Sequence, residues 1–183
     1  HGTHVAGIVS GVAPRADLIA IQVFSRVDDT PQNPRCANAG RTSPCTLATS
    51  ADIIGALERV FALRNSLNIA SVNMSLGGGR FGSTCDTDPR KPAIDLLRGD
   101  QFATVIAAGN SGFTDSMGAP ACISSAISVA SSTKSDTISS FSNINNFTTL
   151  IAPGGKVIYR KQGELDPLEL KRAIIARLGR VYR

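Results

Sequence analysis

The chain has 183 residues, 42% of them hydrophobic and 18% charged, a balance that fits a globular α/β protein and excludes a disordered one. Its formal net charge of +5 is uneven: residues 156–183 carry 8 Lys+Arg against 3 Asp+Glu, whereas residues 1–155 balance at 11 of each. A nucleic-acid footprint is one reading of that tail. A solvated helix face is the better one, because no aromatic stacking pattern accompanies the basic residues. No apolar run approaches membrane-spanning length. Neither nucleic acid nor a membrane is therefore an expected partner.

In chain order, residues 3–12 read as a small-residue helix. Residues 17–24 (DLIAIQVF) read as a buried strand, a short apolar run rich in Ile and Val. Residues 25–48 are polar, with prolines and two cysteines, and read as a long surface loop. Ser50 is placed to cap a helix over 51–66, whose Ile53, Ile54, Leu57, Val60 and Phe61 share a face. Residues 69–75 form the next strand and 77–90 a Gly-rich loop. Pro92 suits the first turn of a helix over about 91–99, with Ile94, Leu96 and Leu97 apolar. Residues 102–108 (FATVIAA) are a further strand ending in a Gly-Asn turn, and 126–130 and 148–151 are shorter strands. After Gly155, residues 156–161 alternate like a strand. Asp166 and Pro167 then open a helix over 167–178 with Leu170, Ile174, Ile175 and Leu178 as its apolar stripe.

Strands alternating with helices predict an α/β fold of three layers, a mostly parallel sheet with helices on both faces. Sites in such sheets sit at the carboxyl ends of the strands. The segments after the strands at 69–75 and 102–108 should therefore share one rim.

The four cysteines, Cys36, Cys45, Cys85 and Cys122, show no spacing that suggests zinc. Cys36 and Cys45 bracket a Pro/Asn/Gly/Arg-rich segment, as a clip on a surface loop would. Cys85 and Cys122 lie in loops before a predicted helix and after the next strand. Two disulfides, 36–45 and 85–122, are expected, which implies an oxidising compartment. Four free thiols in a cytosolic protein are the alternative.

Three segments carry chemistry. The chain opens on His1-Gly2-Thr3-His4-Val5-Ala6-Gly7, a histidine backed by small residues that runs into an apolar helical pattern. At a helix N-terminus the dipole disfavours imidazolium, so such a ring stays available as a general base. The second segment is Asn73-Met74-Ser75-Leu76-Gly77-Gly78, and the third is Ala107-Ala108-Gly109-Asn110-Ser111-Gly112. A His-x-x-His metal pair of His1 and His4 lacks a third ligand, so His4 reads as structural and no metal or other cofactor is expected.

Together, and in this order, the three segments resemble the subtilisin-like serine proteases over residues 1 to about 155. The resemblance implies secreted, serine-type peptide-bond hydrolysis with a polypeptide substrate. His1 matches the catalytic general base. Asn110 matches the oxyanion-hole donor, a kind of side chain that lowers the barrier by roughly 3–4 kcal/mol, a magnitude that belongs to a relative. Ser75, Leu76 and Gly77 match the edge that pairs with the substrate backbone. Ala107, Ala108 and Gly109 would line the pocket for the side chain preceding the scissile bond, and their small size leaves it open to a large apolar group.

The chain also departs from that pattern. The family's triad runs Asp, His, Ser, and nothing precedes His1. The Gly-Thr-Ser-Met-Ala context of the nucleophile, expected after the turn matched by Ala152-Pro153-Gly154, is not present in the sequence. Asp115-Ser116-Met117-Gly118-Ala119-Pro120 imitates it at the wrong place, before that turn. The expectation is a partial peptidase domain at 1–155, truncated at both ends and inactive alone, followed by a basic strand–helix tail at 156–183. That tail faintly resembles a thioredoxin-like C-terminus without its CxxC. A non-catalytic peptide-binding module and a non-functional gene fragment are the alternatives. Asn146-Phe147-Thr148 is a glycosylation sequon, relevant in a eukaryotic secretory pathway.

Overall fold

The computed structural model describes residues 1–153 and the backbone of 158–159. The helix expected at 167–178 and most of the strand expected at 156–161 lie outside the described residues. The chain forms two compact units, His1–Asn68 and Ile69–Arg183.

The first unit holds α1 (Gly2–Val12), β1 (Ser25–Val27), α2 (Arg35–Asn38), β2 (Cys45–Leu47) and α3 (Ser50–Leu63). β1 and β2 pair antiparallel, Val27 against Cys45, and the Cys36–Cys45 disulfide closes the intervening loop. The loop expected at 25–48 thus contains a clipped hairpin. Asp29 tightens it by accepting the Cys36 and Ala37 amides at 2.6 and 3.0 Å.

The cap of α3 is Thr49, not Ser50. Thr49 Oγ1 accepts the Asp52 amide at 3.1 Å, and the Asp52 carboxylate accepts the Thr49 amide at 3.2 Å. This reciprocal box satisfies two amides that the first helical turn leaves without partners. Ile53, Leu57 and Val60, spaced four and three apart, form the buried stripe.

The helix expected at 3–12 forms as α1, but the strand expected at 17–24 does not. α1 buries none of its residues, with Ile8 57% and Val12 64% exposed. Residues 17–24 form no strand, and Leu18, Ile19, Ile21 and Phe24 are exposed. An apolar run becomes a parallel strand only where a neighbour supplies the ladder. Among the described residues, none pairs with it.

The second unit holds β3 (Ser71–Met74), β4 (Gly78–Phe81), α4 (Lys91–Gly99), β5 (Ala103–Ala107), β6 (Met117–Ala119), β7 (Ile127–Ser132), β8 (Leu150–Pro153) and β9 (Ile158–Tyr159). Its sheet runs β3-β5-β7-β8-β9. The first four strands are parallel and β9 returns antiparallel to β8, so the fold is α/β with a mostly parallel sheet. Ile106 and Ile127 of the central strands are buried, as are Ile94 and Leu97 of α4, which packs against β5. Leu96, the third apolar side chain named in this helix, points outward at 46% exposure. Within the stretch expected to be only a Gly-rich loop, β4 pairs antiparallel with β6.

The Cys85–Cys122 disulfide, as expected from the loop positions, ties the segment before α4 to the one after β6. Next to it the Asp86 carboxylate accepts the Ser124 amide at 2.9 Å and its hydroxyl at 2.7 Å. The carboxylate of Asp88 takes two bonds from the Arg90 guanidinium, at 2.8 and 2.6 Å, with both side chains largely buried.

Two predictions follow from these ties. The 85–122 bridge spans 37 residues and the 36–45 bridge 9. Chain-entropy scaling gives about 4 kcal/mol for the longer closure and about 2.5 kcal/mol for the shorter. Denaturant unfolding should therefore show Cys85→Ser/Cys122→Ser as the more damaging pair. The second concerns acid. The Arg90 bonds hold the Asp88 carboxyl below its ordinary range. Its contribution is present above the unfolded-state value of about 4 and is lost as pH falls through the lowered folded value. Acid unfolding of Arg90→Gln should begin at higher pH than that of the wild type, and identical acid limbs would remove the pair from the account.

Candidate active-site rim

β3 and β5 run in the same direction with Met74 opposite Ile106, so the residues that follow each strand emerge at one rim of the sheet. Ser75, Leu76 and Gly77 leave β3. Ala107 closes β5, and Ala108, Gly109 and Asn110 follow it. The backbone packs closely at position 77: a Cβ there would stand 3.0 Å from the Ala119 carbonyl oxygen, so a side chain would need that backbone to shift. The Gly118 amide donates to the Ala108 carbonyl at 2.9 Å, which brings the start of β6 onto the same rim.

Asn110 sits on the turn after β5. Its carboxamide is exposed, and among the described residues none bonds to it. The turn beneath it is held by Asn143, only 1% exposed. The Asn143 Oδ1 accepts the amides of Ser111 at 2.9 Å and Phe113 at 3.2 Å, and its Nδ2 donates to the Ala108 carbonyl at 3.1 Å. Its backbone amide donates to the Gly109 carbonyl at 2.9 Å. Gly109 has φ +115, and a Cβ at that position would collide with the Asn143 carboxamide. One buried side chain therefore fixes the backbone on both sides of Asn110 and leaves the Asn110 amide free to donate outward.

Ser116 is placed where it cannot act as a nucleophile. It is 1% exposed, its hydroxyl donates to Asp115 Oδ1 at 2.8 Å, and its oxygen accepts from Arg80 Nε at 3.0 Å. Arg80 Nη2 also donates to both Asp115 oxygens at 3.0 Å, and the guanidinium lies over the Phe113 ring at 4.6 Å. The Ser116 hydroxyl and Arg80 hold the Asp115 carboxyl below its usual range. Arg80, on β4, thereby clamps the segment that follows the Asn110 turn.

His1 and His4 belong to the first unit. His1 is the N-cap residue of α1, and its exposed ring makes no capping bond. His4 lies one turn on and is also exposed. Among the described residues, no group of three or more His, Cys, Asp or Glu side chains converges as a metal site would require. No described helix is long and apolar enough to cross a membrane.

Asn143 and Arg80 were not singled out from sequence, and Asp115 and Ser116 were noted only as an imitation of the nucleophile context. Their partners are 30 to 36 residues away along the chain. No periodicity or short motif marks such a pairing.

Residues 1–173 match the profile of the subtilase family. Relatives include "Alkaline protease 1" of Emericella nidulans, 30% identical over 86% of this chain and 35% of that protein. The "Subtilase-type proteinase psp3" of Schizosaccharomyces pombe is 35% identical over 86% of this chain and 31% of its own length. The chain thus spans about a third of the length of these relatives. Among solved structures, the prenylagaramide maturation protease PagA superposes with a TM-score of 0.50 at 22% identity, covering 64% of this chain and 41% of that one, a likeness of fold.

The Asn143 arrangement yields a prediction. Replacing Asn143 by Ala leaves the Ser111 and Phe113 amides without their acceptor, each costing about 1–3 kcal/mol where buried, and takes from the Ala108 carbonyl one of its two donors. Gly109→Ala should destabilise the same turn by forcing a side chain into Asn143. In hydrogen exchange, both variants should lose protection at the Ser111 and Phe113 amides, while α3 of the first unit is unchanged. Retained protection in Asn143→Ala would show that the turn holds without it.

Proposed function

From the premise that the chain belongs to the subtilase family, we propose that it is the partial catalytic domain, residues 1–155 with a basic tail at 156–183, of a secreted serine-type endopeptidase. The observation that carries the reading is Asn110 on a turn pinned from below, its free amide beside a rim formed by the ends of β3 and β5. Donors preset where charge develops act without reorganising during reaction.

In this reading a serine hydroxyl attacks the peptide carbonyl and His1 takes its proton as general base. The Asn110 amide donates to the oxyanion. His1 then gives the proton to the leaving amine as the C–N bond breaks, and water deprotonated by His1 cleaves the serine ester, releasing the acid and restoring the hydroxyl. Ser75, Leu76 and Gly77 pair with the substrate backbone as an added strand, and Ala107, Ala108 and Gly109 line the pocket for the side chain before the scissile bond. The attacking serine and the carboxylate that would orient His1 are not contributed by these 183 residues. Two disulfides support passage through an oxidising compartment. The reaction as proposed involves no metal or cofactor.

A second reading keeps the rim without the chemistry, as a peptide-binding module. It draws on the outer edge of β3, which pairs with no strand among the described residues. An extended peptide retained uncleaved, and released by a proline substitution at Ser75, would favour it.

The 183-residue chain alone should not turn over chromogenic peptides or take up a fluorophosphonate at Ser116. Turnover that His1→Ala abolishes would overturn the predicted inactivity. Supplying a relative's Asp-bearing strand upstream and its Gly-Thr-Ser-Met-Ala segment downstream should restore hydrolysis. Asn110→Ala should then lower kcat roughly a hundred- to thousand-fold, with KM little changed. An equal kcat in that variant would remove Asn110 from the oxyanion role.

A further inference from the structure

The tripeptide Asn146-Phe147-Thr148 fits the Asn-x-Thr acceptor pattern, and the proposed hydrolysis makes no use of it. The fold presents it on a tight turn. The Thr148 amide donates to the Asn145 carbonyl at 3.3 Å, closing a four-residue turn with Asn146 and Phe147 at its centre. Asn145 braces the turn from the preceding position. Its amide donates to Thr148 Oγ1 at 3.0 Å, and its Oδ1 accepts the Phe147 amide at 3.2 Å and the Thr148 hydroxyl at 3.1 Å. The Asn146 side chain takes part in none of these bonds and is exposed. A bulky polar group on its nitrogen would project from the turn without displacing a hydrogen bond.

A second tripeptide, Asn73-Met74-Ser75, fits the weaker Asn-x-Ser form and is placed differently. Asn73 lies within β3, in register with Val105, and its carboxamide already donates to the Ser75 hydroxyl at 3.1 Å. Met74 beside it is buried. A glycan there would stand on the ladder strand that leads into the rim.

We infer that Asn146 is an N-linked glycosylation site, and that Asn73 is not. The inference rests on the secretory route in the proposed function. In the step, the Asn146 Nδ2 forms a bond to the anomeric carbon of an oligosaccharide carried on a polyprenyl pyrophosphate. The bond from that carbon to the pyrophosphate oxygen breaks, the lipid pyrophosphate leaves with the electron pair, and the amide gives up one proton. The donor and its membrane transferase come from the secretory pathway.

The test is translation of the full chain behind a cleavable secretion signal, in the presence of eukaryotic microsomes, with a reporter sequon in a C-terminal tag that certifies translocation. The translocated chain should show one mobility step beyond the reporter's, and peptide N-glycosidase should remove both. Asn146→Gln and Thr148→Ala should each lose that step, and Asn73→Gln should lose none. The inference is overturned if a chain bearing the reporter glycan shows no further step, or if the step survives Asn146→Gln or is lost in Asn73→Gln. Loss of the step in two variants at different positions of the tripeptide, Asn146→Gln and Thr148→Ala, ties it to that site. The secretory route is read separately, by alkylating the natural protein. Free thiols at Cys36, Cys45, Cys85 and Cys122 would sink that route while leaving the microsome result to stand on its own.

Discussion

The second unit turns on the carboxamide of Asn143. A neutral amide can accept at its oxygen and donate from its nitrogen, and this one does both within a single loop, taking the Ser111 and Phe113 amides and giving to the Ala108 carbonyl. The Ala108 carbonyl also takes the Gly118 amide, but the two amides lie past the end of β5, where the ladder no longer satisfies them. Left without partners while buried, each would carry a penalty larger than the net gain of an ordinary hydrogen bond. The turn therefore keeps its shape because it has no comparable alternative. Gly109 completes the arrangement, since any side chain at its φ of +115 would occupy the space of the Asn143 amide. Rigidity of this origin matters for an oxyanion donor, whose value depends on being in place before charge develops.

The same accounting explains the contrast between the two units. In the second, four parallel strands supply one another's backbone partners, and the central strands and α4 bury a shared apolar face. In the first, the hairpin is closed by a disulfide and α3 by a capping box, both local devices. α1 and residues 17–24 have an apolar composition without an apolar surface to meet among the described residues. Hydrophobic content sets a preference for burial, but a partner has to deliver it.

That distinction also marks how much was legible in the sequence. The three motifs could be read directly, because together and in this order they resemble the subtilisin-like proteases, and the subtilase family match covers all three. α3 and α4 appeared through the spacing of Ile53, Leu57 and Val60 and of Ile94 and Leu97. Both disulfides followed from where the cysteines fell relative to loops. Residues 17–24 were read as a strand because their composition states what the segment would do beside a neighbour, not whether one is there. The β4–β6 pairing was hidden in a stretch whose glycines resemble a plain loop. Thr49 and Ser50 are equivalent caps on paper, and only the reach of Thr49 Oγ1 to the Asp52 amide separates them. Asn143 was invisible because its meaning lies in contacts some thirty residues distant.

Ser116 shows why a local likeness to a nucleophile context is a weak guide to chemistry. A serine becomes nucleophilic when a base with appreciable proton affinity takes its proton along the line of attack, and when its oxygen is open to the substrate. The Ser116 hydroxyl donates to a carboxyl that Ser116 and Arg80 hold below its ordinary range, so the acceptor has little affinity for the proton. A lone pair of its oxygen is engaged by Arg80, and the residue is buried beneath the clamp. Each of those bonds stabilises the segment after the Asn110 turn, and each subtracts from reactivity. The interactions that make Ser116 a good structural residue are thus the ones that disqualify it as a nucleophile. The opposite holds for Asn110, whose carboxamide has no partner among the described residues while the amides of the turn beneath it are bonded to Asn143.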